Sequence, residues 1–330
     1  MRLSSFLILL SAMAPITCGP AKGDHDDEGG ARWAAVARMP SSTPEEAARA
    51  SESNAMQHVF VIAMENHDWD DISGSASAPY INGTLLRIGA HAERYRSDVH
   101  PSEPNYVWLE AGDRLGIYDN DDPYENYRTT RLHLSGQLDK ARIPWRAYAE
   151  DAPPGECPLV SHGKYAAKHV PMVFFDDITD GHDTHSVGCM GRLRPFSELD
   201  RDLHEEAVGR YTFITPNLCH DMHDVVGCDS PDSVANGDAF LSRLVPRIME
   251  SKAYRQNGVI FIVWDESESK GDPPIGLIAI SSFAKPGHAS DVPYNHSSLL
   301  RSLQDIMGVR PYIRGATDAT PVSDLFATYP

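Results

Sequence analysis

Basic residues are scarce in this chain. It has 29 lysines and arginines against 47 aspartates and glutamates, which gives a formal net charge of -18 at pH 7. Proteins that bind nucleic acid carry a basic footprint, so this composition argues against a nucleic-acid partner and against simple electrostatic docking on anionic lipid. A protein this acidic can bind an anionic ligand only where a metal ion, histidines or a few arginines offset the repulsion locally.

Long hydrophobic runs are missing after the first twenty residues. The longest later apolar runs, such as residues 259–264, have the length of strands and are far too short to cross a bilayer. The chain has 330 residues, and 41% of them are hydrophobic. That is enough for a sizeable core in one large α/β domain or in two small ones.

The one early apolar run is typical of an export signal. Arg2 supplies a positive charge, residues 6–16 supply a short apolar core, and small and turn-forming residues follow. A buried helix is the alternative, but Pro15 and Pro20 would damage it. We therefore predict an exported protein.

The predicted organisation has three parts. Residues 1–18 form the export signal, residues 19–56 a flexible linker rich in small and acidic residues, and residues 57–330 the folded domain. Cys18 stands where a bacterial lipoprotein carries its acylated cysteine. A lipid anchor at Cys18 therefore remains open, and so do a periplasmic, a secreted and an outer-membrane-anchored location.

Cysteine is rare, with five residues in all. Apart from Cys18 an even number remains, and in an oxidising compartment these four can form two disulfides in three pairings. We favour Cys157–Cys189 and Cys219–Cys228, because both pairs close short local loops. A zinc site is the alternative, but the spacings fit no common zinc pattern.

Strand-like and helix-like segments alternate along the predicted domain. Continuous apolar runs predict strands at residues 58–64, 90–95, 145–149, 170–175, 211–215, 258–264 and 275–280. Amphipathic or capped segments predict helices at residues 82–88, 105–111, 134–141, 196–203, 237–251 and 297–307. This alternation predicts an α/β fold in which helices cover both faces of a mostly parallel central sheet.

Three of the predicted strands end abruptly in polar clusters. Glu65-Asn66-His67-Asp68 follows the first strand, residues 216–224 follow the strand at 211–215, and Asp265-Glu266 follows the strand at 258–264. Functional groups of open α/β sheets collect beyond the carboxyl ends of the strands. We therefore expect the three clusters to meet in one crevice.

The residue types in these clusters suit a divalent cation. Glu65, Asn66, Asp265 and Glu266 offer the hard oxygen donors that such an ion prefers. A bound cation lowers the pKa of an attacking oxygen and neutralises charge on a phosphoryl group. Each cluster alone is more typical of a turn or a cap than of a functional site; their coincidence at three strand ends is what indicates a site.

Two histidines in the second cluster, His220 and His223, are three residues apart. Both can reach the expected crevice, where they could bind the cation, hydrogen-bond phosphate oxygens or protonate a leaving group. A solvated turn is the alternative interpretation of a His-x-x-His pattern flanked by aspartates. Asp221 and Asp224 could orient the neighbouring imidazoles, or they could be solvent-facing loop acids.

The segment His100-Pro-Ser-Glu-Pro-Asn-Tyr106 contains the candidate nucleophile, Ser102. The two prolines hold this serine in a stiff, non-helical segment, and a helix is predicted to begin at about Asn105. Peptide dipoles at a helix N-terminus favour a developing anion. A plain turn or cap serine is the alternative, and the residues alone leave both open.

Together these motifs resemble the phosphoesterase family of bacterial and fungal acid phosphatases and phospholipases C. The similar segments lie at residues 65–70, 100–106, 165–171, 215–224 and 264–266. The resemblance implies an alkaline-phosphatase-like fold, a three-layer α/β/α sandwich. It also implies one divalent metal ion, of unknown identity, with the ligands Glu65, Asn66, Ser102, Asp265 and Glu266.

The resemblance also implies the remaining roles. Ser102 would be the nucleophile, and His169 and His223 would contact the phosphoryl group. His220 is an additional imidazole that leaves open which of the two neighbours acts. Lys168 and Asn105, both within matching segments, are candidate substrate-binding residues. His296 could join the site or merely cap the last helix.

The expected activity is acid-phosphatase-like hydrolysis of phosphate monoesters through a phosphoserine. A phospholipase C acting on phospholipid headgroups is the first alternative, although the sequence shows no long hydrophobic insertion for holding lipid. A non-catalytic surface lipoprotein with the same fold is the second. The short segment 267–274 lacks a further histidine ligand, which favours a single-metal site over a two-zinc site. A sulfatase is disfavoured, because its cofactor-forming Cys/Ser-x-Pro-x-Arg pattern is missing.

Overall fold

The computed structural model describes residues 55–269 and 271–330. The predicted export signal, Cys18 and nearly all of the predicted linker lie outside the described residues. Met56, the last residue of that linker, is already buried in the core, so the fold includes at least one residue more than predicted. Within the described ranges, no helix is long and apolar enough to cross a membrane.

Ten strands are described. In chain order they are β1 (His58–Met64), β2 (Ala90–Ala92), β3 (Tyr95–Arg96), β4 (Trp145–Ala149), β5 (Leu193–Pro195), β6 (Tyr211–Thr215), β7 (Gly258–Trp264), β8 (Leu277–Ser281), β9 (Ala289–Ser290) and β10 (Tyr294–Asn295). Eight of them form one sheet in the order β5-β4-β6-β1-β7-β8-β2-β9, and β3 pairs with β10. Only β8 runs antiparallel to its two neighbours in the large sheet.

Helices connect and flank these strands. The α-helices are Trp69–Ile72, Leu86–Ile88, Ser102–Ala111, Pro123–Asn126, Leu134–Ala141, Asp176–Thr179, Val187–Arg192, Leu199–His204, Ser233–Glu250, Lys252–Arg255 and His296–Met307. A π-helix spans Ile81–Leu85, and 3-10 helices span Ala167–His169, Pro171–Phe174, Phe196–Glu198, Arg314–Thr317 and Ser323–Leu325. The predicted α/β class with a mostly parallel central sheet is confirmed.

The centre of the sheet explains why the polar clusters meet. Strands β1 and β7 are apolar along nearly their whole length and buried, as strands covered on both faces are. They pair in parallel with Met64 opposite Trp264. The next residues, Glu65 and Asp265, therefore leave the sheet side by side, and β6 lies on the other side of β1.

Several predicted elements were wrong in kind or extent, and two of them lie near the polar clusters. Residues 170–175 form no strand; Pro171–Phe174 is a 3-10 helix, and a short buried apolar run does not by itself distinguish the two. The nucleophile helix begins at Ser102 rather than Asn105. It can do so because Pro104 lies in the first turn, where the missing N–H costs no helical hydrogen bond.

Candidate active site

The Ser102 hydroxyl lies within hydrogen-bonding distance of groups from both central strand ends. Its Oγ is 3.1 Å from Glu65 Oε2, 3.3 Å from Asn66 Oδ1 and 3.0 Å from Glu266 Oε1. Asp265 joins the group by accepting a hydrogen bond of 3.1 Å from the Asn66 backbone N–H. All five residues that we expected around a metal ion are therefore together.

The orientation of the Asn66 amide bears on whether the oxygen atoms around Ser102 could bind a cation. With its oxygen turned inward, the amide faces only other acceptors. With its nitrogen inward, it would donate to Glu65 Oε2 and Asp265 Oδ1, each at 3.0 Å. The first orientation places carboxylate, amide and hydroxyl oxygens around one point, which is the donor set of a divalent cation. The residues present therefore fit such an ion.

Burial of several carboxyl groups together also indicates a need for positive charge. Burial, and then the charges of Asp265 and Asp221, raise the pKa of Glu65 well above its usual value. Burial and the Glu266 charge raise the pKa of Asp265 to about 8. Carboxylates crowded in this way ionise readily only when a cation shares the site. Lys168 opposes part of this effect, because its charge lowers the pKa of Glu65.

His169 lies against this group, fully buried. Its Nε2 is 3.3 Å from Glu65 Oε1, its Nδ1 is 3.3 Å from Asp221 Oδ2, and neither contact has well-aligned hydrogen-bond geometry. The ring stacks on Tyr106 with centroids 5.0 Å apart. Burial, and then the charges of Lys168 and His223, lower the pKa of His169 well below its usual value, which favours a neutral imidazole.

The two candidate histidines of the 216–224 segment have different surroundings. The His223 ring lies 6.0 Å from that of His169, lines the main cavity and is oriented by Asp224 Oδ1 at 2.9 Å. The His220 ring contacts Glu150 Oε2 at 2.8 Å and stacks on Phe240. The geometry therefore favours His223 as the histidine that reaches a substrate.

The expected role of Asn105 does not fit its contacts. Its amide is buried and bonds only backbone: Oδ1 accepts from the N–H groups of Asp98 and Val99, and Nδ2 donates to the carbonyls of Val99 and Pro101. Asn105 therefore fixes the turn before Ser102 rather than offering a free group to a substrate. Lys168 is half-buried and acts on the carboxylates through its charge.

His296 neither caps its helix nor reaches Ser102 directly. Asn295 is the cap, since its side chain accepts from the Ser298 N–H. The buried His296 ring lies 2.6 Å from the Asp265 carbonyl through Nε2, and its Nδ1 lies 2.9 Å from Tyr95 Oη. Burial lowers the pKa of His296 to about 4, so the neutral ring supports the backbone that carries Asp265.

Sequence reasoning gave no role to two residues that contact the predicted ligands. The His100 imidazole contacts Glu266 through Nδ1 and Asp272 Oδ1 at 2.7 Å through Nε2. The Tyr106 hydroxyl donates to Glu65. Both belong to the segment around Ser102, and the spacing of four residues between Ser102 and Tyr106 on one helix face was the available signal.

Both predicted disulfides are confirmed. Cys157–Cys189 and Cys219–Cys228 are bonded, with Cα separations of 5.5 and 5.4 Å. The second bond closes the segment that carries His220 and His223. That loop is also tied down by Lys164, whose Nζ donates to Asp224 Oδ2 at 2.9 Å.

A cavity of about 670 Å³ opens beside the oxygen cluster. Its lining is polar and includes three histidines together with Glu266, Glu268 and Asp272. This is the volume of a site for a small molecule or headgroup. Asn66, Glu266 and the imidazoles on the wall of this cavity are groups that phosphoryl chemistry uses. The buried Ser102 hydroxyl contacts both Asn66 and Glu266.

Comparison with known proteins decides the family. The chain matches the model of the Phosphoesterase family over residues 81–310. The chain belongs to the Phosphoesterase family. The matched range contains Ser102, His169, His223, Asp265 and Glu266, whereas Glu65 and Asn66 precede it. As a member, the protein is a hydrolase that acts on phosphoric ester bonds.

Two relatives and one solved structure are similar to this phosphoesterase. It is 30% identical over 285 residues to a phosphatidylinositol-3-phosphatase of Mycobacterium tuberculosis, covering 86% of this chain and 88% of the relative. It is 25% identical over 264 residues to a probable acid phosphatase of Kluyveromyces lactis, covering 77% of this chain but only 58% of the relative. A Vibrio parahaemolyticus protein of the alkaline phosphatase superfamily superposes with a TM-score of 0.53 at 10% identity, over 82% of this chain and 72% of that one. The last match shows the fold alone.

Proposed function

We propose that this phosphoesterase is an exported, metal-dependent phosphatase that releases phosphate from monoesters through a phosphoserine at Ser102. The observation that carries the proposal is the position of the Ser102 hydroxyl, within 3.3 Å of Glu65, Asn66 and Glu266. The names of the mycobacterial and fungal relatives, which are phosphatases, support the choice of phosphate esters.

The metal dependence rests on the donor set. A divalent cation held by Glu65, Asn66, Ser102, Asp265 and Glu266 would supply Lewis-acid stabilisation of phosphoryl charge and favour the ionised serine. Ser102 attacks phosphorus in line with the departing alcohol, and Glu266 Oε1 at 3.0 Å is the nearest acceptor for its proton. His169 is fully buried with its ring nitrogens facing Glu65 and Asp221, so the role proposed for it here is to support the Glu65 carboxylate rather than to contact the phosphoryl group directly.

His223 is the proposed proton donor to the departing alcohol. Its Nδ1 lies 2.9 Å from Asp224 Oδ1, which fixes the ring and leaves Nε2 as the atom available to a substrate. The imidazole is half-buried on the cavity wall, so a bound ester can reach it. Hydrolysis of the phosphoserine by water, with the same histidine accepting the proton of the water, completes the cycle.

Export remains part of the proposal. Two disulfides support an oxidising compartment, because such bonds are rare in reducing cytosol. Whether Cys18 is lipidated is a separate prediction. Mass spectrometry of the mature protein from its native membrane and medium fractions tests both, since it reads the N-terminal residue and any acyl mass. An unprocessed N-terminus would contradict export.

One observation favours a membrane-presented ester as a second candidate substrate. Val226 is 81% exposed and Val225 is 42% exposed, in the disulfide-closed loop that carries His223. Exposed apolar side chains beside a catalytic cavity can insert into a lipid surface. A phosphoinositide monoester is then a candidate substrate, in keeping with the name of the mycobacterial relative.

A single panel separates these substrates. Phosphate release is measured from an aryl phosphate and from vesicles of phosphatidylcholine containing phosphatidylinositol 3-phosphate, and phosphocholine release is measured from vesicles of phosphatidylcholine alone. We expect release from the aryl phosphate after addition of a divalent ion and none after chelation. Turnover of the phosphatidylcholine headgroup with no turnover of monoesters would support a phospholipase C instead. The matched variants Val226→Ser and Val187→Ser, both at strongly exposed valines, test whether the loop adds a lipid contact.

A further inference from the structure

A second group of candidate ligands lies at the edge of the same cavity. One ring nitrogen of His67 and one carboxylate oxygen from each of Asp71 and Glu268 lie within 4.8 Å of one another. His67 is 8% exposed, whereas both carboxylates are exposed. None of these side chains has a part in the phosphoserine chemistry proposed above.

The contacts of His67 favour one tautomer. Its Nε2 lies 3.2 Å from the Met222 carbonyl oxygen and 3.1 Å from Ser233 Oγ. A carbonyl oxygen can only accept, so the contact with Met222 favours the tautomer in which Nε2 carries the hydrogen. The opposite atom, Nδ1, is then a bare lone pair when the ring is neutral, and a backbone carbonyl orients metal-binding imidazoles in the same way.

That lone pair is buried and faces acidic groups. Nδ1 of His67 has no hydrogen-bond partner among the described residues and lies 3.9 Å from Glu268 Oε2. A nitrogen lone pair opposite two carboxylates is repulsive unless a proton or a cation lies between them. The unpartnered, buried nitrogen therefore indicates a bound ligand, and this indication does not depend on the clustering of the acidic residues.

The backbone fixes this arrangement before any ion binds. Asp68 Oδ1 accepts from the N–H groups of Glu268 and Ser269 at 3.1 and 3.2 Å. The Asp68 carbonyl accepts from the Asp71 N–H at 3.0 Å. One residue thus ties the loop that carries Glu268 to the turn that carries Asp71, and both lie next to His67.

We propose that His67, Asp71 and Glu268 form a second cation site, separate from the oxygen cluster around Ser102. One imidazole and two carboxylates suit a borderline ion such as Zn²⁺ or Mn²⁺ better than Mg²⁺ or Ca²⁺, which prefer oxygen alone. Because His67 and Glu268 also line the cavity, remaining coordination positions would face a bound ester. The chain would then bind two ions, rather than the single ion expected from its sequence.

Co²⁺ is the probe that tests this proposal. An imidazole-containing site of low coordination number gives Co²⁺ a strong visible absorption band, whereas a six-coordinate all-oxygen site gives a weak one. Purified protein is stripped with a chelator and titrated with Co²⁺, and the bound metal is counted after equilibrium dialysis. We expect Glu268→Gln to lose the strong band and to bind one ion fewer than the wild type. Asp265→Asn should keep the band while also losing one ion, which separates the two sites.

Asp70→Asn is the matched control, since Asp70 is an exposed acid next to Asp71. It should leave the spectrum and the metal count unchanged. An unchanged band and count in Glu268→Gln would overturn the proposal. His67→Gln is a second variant and, if it folds, should also lose the strong band and one ion. Glu268 is exposed, so Glu268→Gln should fold and tests the proposal even if His67→Gln does not fold.

Discussion

The Ser102 Oγ lies 3.0 Å from Glu266 Oε1, although the two residues are 164 positions apart in the chain. The contact joins the first turn of a helix to the carboxyl end of β7, and through Asn66 it extends to the end of β1. A serine that only capped a helix would not need two buried glutamates as neighbours. The relationship is therefore the structural basis for the proposed nucleophile.

Replacing Ser102 with alanine should remove catalysis and leave the fold intact. We expect the turnover of an aryl phosphate to fall by about 10³-fold or more, because the residue forms the covalent intermediate. Thermal unfolding should change little, since only one hydroxyl is removed. Ser282→Ala, at an exposed serine, is the control and should retain wild-type turnover. Near-wild-type turnover in Ser102→Ala would refute the assignment.

Removing one ligand carboxylate should weaken binding of the catalytic ion. Asp265→Asn keeps the side-chain shape but removes a charge from the buried cluster, so the ion should be lost at chelator concentrations that leave the wild type loaded. Metal content after dialysis and restoration of activity by excess ion measure this. Asp318→Asn, at an exposed aspartate, should behave as the wild type does. Equal metal retention by both variants would argue against Asp265 as a ligand.

The histidine pair gives a matched comparison. His223→Asn should lower kcat with an aryl phosphate, because it removes the imidazole on the cavity wall. His220→Asn should mainly lower thermal stability, because it removes the contact with Glu150 and the stack on Phe240. Measuring kcat and the unfolding midpoint of both variants distinguishes them. The reverse pattern would assign the catalytic role to His220.

Removing one disulfide should mainly lower stability, whereas removing the other should also lower turnover. The Cys157–Cys189 bond closes the longer loop, with a sequence separation of 32, whereas the Cys219–Cys228 bond has a separation of 9. Removing the first bond should therefore lower the free energy of unfolding by roughly 3–4 kcal/mol, and removing the second should lower it by roughly 2–3 kcal/mol. The Cys219–Cys228 bond holds the loop that carries His223, so its paired serine variant should lose more turnover. Unfolding in urea and kcat are measured on both paired serine variants. Equal losses of turnover would contradict a positioning role for the second disulfide.

Asp202 gives a prediction about pH. Burial alone would raise its pKa, but hydrogen bonds from Tyr148 and Arg201 and the charge of Arg146 lower it overall. Because the pKa of Asp202 is lower in the folded protein, its ionised form stabilises the fold at pH values above the unfolded-state pKa of about 3.9. This stabilisation is lost as the pH falls through the lower pKa of the folded state. Asp202→Asn should therefore cost stability at neutral pH, about 1–2 kcal/mol after allowing for its partly exposed arginine partners.

Urea unfolding at several pH values tests that prediction. The stability difference between the wild type and Asp202→Asn should be constant from about pH 5 to 7 and shrink below about pH 4. A difference that grows on acidification would show that the ion pair does not depress the pKa. Neither Asp202 nor its partners contact Ser102 among the described residues, so turnover at neutral pH serves as a check that the site is intact.

Most of the sheet could be predicted from the sequence because its strands are unbroken apolar runs. The bounds of β4, β6 and β7 agree with the predictions to the residue. Residues 170–175 could not be assigned in the same way, because a buried apolar run fits a strand and a 3-10 helix equally until its neighbours are known. The convergence of Glu65, Asp265 and Glu266 was predictable because these residues directly follow two paired strands.

The contacts that individual side chains make could not be predicted from the sequence. Nothing in the chain near Asn105 shows that its amide bonds the backbone of its own turn, so the family resemblance alone predicts a substrate contact there. Likewise, the spacing of His220 and His223 gave no preference between them. Glu150 and Phe240, which lie 70 and 20 positions from His220, decide where its ring lies.

The measurement that tests the central claim most directly is detection of the phosphoserine. The metal-loaded enzyme is mixed with an aryl phosphate, quenched in acid within the first turnovers, digested and analysed by mass spectrometry. We predict that the mass of one phosphoryl group appears on Ser102 and is absent in Ser102→Ala. Steady turnover of the substrate with phosphate found on another residue, or with no phosphorylated peptide at any quench time, would contradict the account.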